Sequence, residues 1–225
     1  MKQLATSSSV FVYWEDLCYL ESSLMALPET KVLAASVTDH LTEFDGLLGQ
    51  DLSTRRHVVR QQAEAVIADV VLDEGLRDLN SALLAEVRQD RKAALFVAVL
   101  GEGPFSKRLR YALERQLKEA RGIVTNLGLN LVPAGLRDRF VPALQAQIDA
   151  GQAVLDRRAS AHAARTQARL DIEAWKQDAN AIRRGVYGEL VKLAADQGHD
   201  ASWPDAFFRA DGATSIAEPS PSDPA

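Results

Sequence analysis

Apolar residues recur at three- and four-residue spacing along most of this chain, the period of amphipathic helices. Phe11, Trp14, Leu17, Cys18 and Leu24 mark a first helix over 10–27. Pro28 ends it, because a proline pushes the residue before it out of helical conformation. Thr30 can then cap a second helix to Leu48, with Leu33, Val37, Leu41 and Phe44 near one face and Gly49 at its C-terminal cap. Ser53 opens a third segment over 53–90. Its first half carries Val59, Ala63, Val66 and Val70, its second half Leu72, Leu76, Leu79, Leu83 and Val87. Asp73 falls where the first stripe would continue, which predicts a bend or phase slip over 73–75.

Residues 93–100 (AALFVAVL) fit helix or strand by period alone. A lone strand has no partner in this pattern, so a short buried helix is expected. The GEGP turn over 101–104 leads into a helix over 104–127 with Phe105, Leu109, Leu113, Leu117, Ala120, Val124 and Leu127 on one face. The most distinctive stretch follows Pro142, since no proline occurs over 143–203. A long C-terminal helix, about 138–197, begins with the stripe Phe140, Leu144, Ile148 and Leu155. It passes through an alanine- and arginine-rich middle and resumes an a/d-like pattern at Ile172, Trp175, Ala179, Ile182, Val186 and Leu193. Unbroken from 142 to 197, such a helix measures roughly 80 Å at 1.5 Å per residue. Gly198 can close it, and a short turn from Pro204 brings in Trp203, Phe207 and Phe208. Residues 211–225 have the composition of a disordered tail.

These elements predict an all-α protein: an elongated up-and-down bundle with long coiled-coil-like helices, 1–210 forming one domain. An apolar share of 47% is enough for a core, and a net charge of -5 argues against a nucleic-acid binder working through its whole surface. No run nears the ~20 apolar residues a membrane span needs. With Cys18 as the single cysteine, neither an internal disulfide nor a multi-cysteine zinc cluster can form, and the expected compartment is a reducing cytoplasm. Arginine outnumbers lysine and alanine abounds, a composition that GC-rich bacterial genomes give.

Catalytic patterns are missing. His40, His57, His162 and His199 are scattered, and neither Glu-x-x-His nor His-Glu-x-x-His occurs. Gly-x-Ser-x-Gly and Ser-x-x-Lys are absent. Cys18 has Glu15 and Asp16 nearby, where a reactive thiol needs positive charge. The glycine-rich stretch at 101–107 lacks Gly-Lys-Ser/Thr and carries Glu102 where phosphate would sit. The expected function is therefore a non-enzymatic scaffold or adaptor, with a protein partner or a second copy of itself, no cofactor, no metal and no evident small-molecule ligand. Its candidate interaction residues are Arg157, Arg158, Arg165 and Arg169 in the alanine-rich arm and Trp175, Ile182 and Val186 on the following stripe. An alternative is an amphipathic protein lying on a membrane or polymer-granule surface. A third reading, a metal-dependent enzyme, rests only on Asp69 and Glu189 lying close to apolar stripes.

Overall fold

The computed structural model describes residues 3–209, and among them there is no strand. The helices are α1 (Val10–Met25), α2 (Lys31–Glu86), α3 (Ala94–Leu100), α4 (Phe105–Arg108), α5 (Leu113–Leu127) and α6 (Ala134–Gln197), followed by a 3-10 turn at Trp203–Phe207. The tail expected from Asp211 onward lies outside the described residues. The protein is all-α, as the periodicity predicts. The sequence groups 1–210 together; the fold gathers the described residues into two compact units, 3–52 with 167–209, and Ser53–Thr166. Both α2 and α6 contribute to each.

In the first unit, α1 starts at Ser9, whose side chain accepts from the Phe11 amide at 3.3 Å. Thr30 is fully buried and works backwards: its hydroxyl donates to the Leu24 and Leu27 carbonyls at 2.6 and 3.1 Å, closing the end of α1. Phe11 meets Phe44, so α1 runs antiparallel to α2, while Tyr13 and Asp16 meet Asn180 and Arg183 in the same order along α6. Tyr13, Leu17, Leu20 and Leu24 are sealed against Val37, Phe44, Trp175, Ala179 and Leu190. The end of α6 is a Schellman turn, with Gly198 at φ +73° and the His199 amide donating to the Ala194 carbonyl at 2.9 Å. Phe207 and Phe208 dock on this core, as the aromatic cluster predicts.

The second unit packs α2, α5 and α6 around Leu72, Leu76, Leu79 and Leu83, with Leu117, Ile123 and Leu127 from α5 and Phe140, Leu144 and Ile148 from α6. The short α3 adds Phe96, Val99 and Leu100, so the ambiguous apolar run is a buried helix. Gln61 and Glu64 meet Arg157, and Gly75 meets Gln147, so α2 and α6 run antiparallel here. A Cβ at position 75 would meet the Gln147 carboxamide, the end of a flexible side chain that would have to swing aside.

Three boundaries differ from expectation. Helices 30–48 and 53–90 are one, because packing on both sides outweighs the ~1 kcal/mol that a mid-helix glycine costs at Gly46 or Gly49. The helix over 104–127 is interrupted: Ala112 adopts φ -61°, ψ 149°, and α5 restarts with Leu113 turned into the core. The last helix begins at Ala134, which leaves Pro142 in its third turn rather than at its start. Proline there removes one backbone hydrogen bond and crowds the carbonyl of Asp138. Pro142→Ala should therefore stabilise the protein by about 1–3 kcal/mol in chemical denaturation. A loss of stability would show that the ring is packed to advantage.

Candidate functional site

The face of α2 that looks inward in the second unit is carried by Gln61, Ala65, Leu72, Leu76, Leu79 and Leu83, all buried. Alanine at 65 takes the place that a larger side chain holds further along. The stripe of Val59, Ala63, Val66 and Val70 therefore lies on a different face and stays outside. Val59 is 69% exposed, Val66 52% and Ile67 63%. No phase slip is needed at 73–75, because the two stripes are two sides of one uninterrupted helix.

Beside this exposed stripe runs a groove of about 630 Å³ between α2 and α6. Ala63, Ile67, Ala68 and Val71 form its α2 wall. Ala146, Ala150 and Val154 form its α6 wall, with Gln147 at one end. Arg157 closes the other end. Its Nη2 donates to Glu64 Oε2 at 3.0 Å and its Nε to Gln61 Oε1 at 3.3 Å, tying α6 to α2. Gln147 Oε1 is buried and has no hydrogen-bond partner among the described residues. The walls are small or branched aliphatic side chains with charge only at the rim, a lining suited to an apolar helix face and poor in groups for bond-making chemistry.

The candidate interaction residues are dispersed. Arg157 belongs to this groove. Arg158, half-buried, lies across from Glu114 and Lys118 with His162 nearby. Arg165 is half-buried and Arg169 exposed. Trp175 and Val186 are inside the first unit's core, and Ile182 packs against it, so that stripe is used within the chain. Trp175 is also locked reciprocally to α2. Its Nε1 donates to the His40 carbonyl at 3.0 Å, and His40 Nε2 lies 3.0 Å from the Trp175 carbonyl. A carbonyl only accepts, which fixes the proton on His40 Nε2. The rings stack at 4.7 Å.

A second polar cluster sits in the same unit. Asp16 and Arg183, 7% and 3% exposed, pair at 2.8 Å. Asn180 exchanges hydrogen bonds with the Leu4 backbone at 3.1 Å each way and donates to the Tyr13 hydroxyl at 3.2 Å. Lys176 Nζ donates to the Thr6 carbonyl at 2.5 Å. Asn180 and Lys176 hold the segment before α1 onto α6, and the Asp16–Arg183 pair holds α1 itself there. The sequence hid this network, since Lys176, Asn180 and Arg183 read as the polar side of an amphipathic helix.

Among the described residues there is no grouping of three His, Cys, Asp or Glu side chains that could hold a metal. Glu189 is exposed and pairs with Lys192 at 2.7 Å. Burial pushes the Cys18 thiol up, and Glu21 and Glu15 push it further. No described helix is long and apolar enough to cross a membrane. Comparison with known protein families, curated proteins and solved structures gives no match for this chain.

Asp69, one turn before Asp73 on α2, has a carboxyl raised from its usual value, first by burial and then by Asp73. Its Oδ1 has no partner among the described residues, while Asp73 is held by Arg77 at 3.0 Å and by Gln116. A raised carboxyl favours folding when protonated and loses that benefit as pH rises through its folded value. Asp69→Asn should thus stabilise the protein at pH 7, with the gain shrinking as pH falls through the carboxylate range. Urea titrations across that range would show it; a gain independent of pH would point to packing instead of charge.

Proposed function

We propose that this chain is a non-enzymatic helical scaffold that works by protein–protein contact, in the first place with itself. The observation that supports the reading is the exposed aliphatic stripe of α2 with its neighbouring groove in the second unit. Contiguous exposed apolar surface rimmed by polar side chains is what interaction sites present to solution. The stripe Ile172–Leu193 expected from the sequence to serve this purpose is occupied within the first unit, which moves the proposed contact from α6 to α2 and leaves Arg157 at its edge. The proposed setting is a reducing cytoplasm, with no cofactor or nucleic acid involved.

One observation favours a second reading, attachment to a lipid or polymer surface. Phe11, Trp14 and Met25 on α1 share a helical stripe and are all exposed. Aromatic and aliphatic side chains together on one helix side are the usual means of lying on an interface.

Light scattering on the purified full chain separates the two. Scaffolding predicts a mass above the single-chain 24.6 kDa that rises with concentration. A constant single-chain mass, with co-sedimentation on vesicles or granules at low salt, would replace it with the surface reading.

A further inference from the structure

The geometry points to a specific occupant of the α2–α6 groove: α2 of a second copy, laid antiparallel about a two-fold axis at Ile67. The inference rests on the reading of the chain as a self-associating scaffold and names the surface it uses.

Arg60, Ile67 and Glu74 are seven residues apart, two helical turns, so they lie along one line of α2. Arg60, Ile67 and Glu74 are all exposed. An antiparallel pair centred on Ile67 sets each residue opposite the one equally far beyond the axis. Arg60 then faces Glu74 of the second copy, and the symmetry makes this ion pair twice. Ala63 faces Val71 of the second copy, a small side chain against a larger one. An in-register parallel pair would instead set Arg60 against Arg60 and Glu74 against Glu74. Charge pattern alone therefore selects the antiparallel arrangement.

The groove supplies the seat. Ala63 on one wall and Ala146 and Ala150 on the other leave room for a helix to approach closely, as small residues do wherever helices pack tightly. By symmetry each α2 enters the other copy's groove, and two two-helix faces close into a four-helix arrangement. Gln147 Oε1, without a partner, rests against Gly75 next to Glu74. That is the end where Arg60 of the second copy arrives, bringing donors for the exposed Glu74 carboxylate.

Charge reversal in the full chain tests this, read as the dimer dissociation constant by sedimentation equilibrium. Arg60→Glu and Glu74→Arg should each weaken the dimer about tenfold, and the double variant should recover to within about threefold of the original. Both positions are exposed, so unchanged helicity and thermal midpoint confirm that folding is intact. Ile67→Asp, on the axis itself, should leave only monomer. A dimer indifferent to all of these would overturn the α2 seam while keeping self-association through another surface. A chain that is monomeric at every concentration would overturn the seam and the scaffold reading together. Single reversals that weaken the dimer without rescue in the double variant would overturn the antiparallel register.

Discussion

A helix as long as α2 exists because other helices bury it. Isolated helices in water are marginal even with good formers, and α2 contains Gly46, Gly49 and Gly75 besides. What holds it is a buried face in each unit, Val37 and Phe44 in the first and Ala65 to Leu83 in the second. That constraint has a cost. A helix presents about 3.6 residues per turn and only one side can face a given core. Choosing alanine and leucine for the inner side of the second unit leaves Val59, Val66, Ile67 and Val70 in solvent. The exposed stripe is thus the counterpart of the buried one, and the function proposed for the chain follows from which side its own helices leave uncovered.

The two units are stabilised differently. The second is held by large aliphatic side chains and by close approach, as where Gln147 lies on Gly75. The first adds directed polar contacts inside its core: the His40–Trp175 exchange, the Asp16–Arg183 pair and the Asn180 hydrogen bonds to Leu4. A buried ion pair recovers little net energy after desolvation, but losing one partner strands the other at a cost of roughly 3–5 kcal/mol. Such contacts set register. They link particular turns of α6 to α1, and they hold the segment before α1 in place.

Much of this was legible in the sequence. The 3.6-residue period identified the helices, Gly198 and Pro28 marked real ends, and the stripes from Phe140 to Ile148 and from Leu72 to Leu83 are core. The failures share a cause. Gly49 and Ser53 carry the local signals of a helix end and start, yet packing on both sides carries α2 straight through them. Ala65 counts for little on a hydropathy pattern but is buried, while Val59 and Val66 count heavily and are not. Pattern alone cannot tell a small residue in a tight contact from a small residue in solvent. For the same reason the stripe through Trp175, Ile182 and Val186 looked like an interface: a core face and a docking face have the same period. Lys176 and Asn180 were missed because a buried polar side chain is visible only once its partners are placed.

Distances between spin labels measure directly whether α2 meets α2 in antiparallel order about Ile67. Cys18 is first replaced by Ser, and a single label is then attached at Gln62 or at Ser81, both exposed. In an antiparallel pair the two copies of a residue separate by about 3 Å along the axis for each position away from the centre, twice the helical rise. Labels at Gln62 should lie about 20 Å apart and labels at Ser81 about 40 Å, allowing roughly 10 Å between helix axes. Equal, short distances at both positions would mean a parallel pair, and no dipolar coupling at either would mean that α2 meets no second copy; each result would contradict the account.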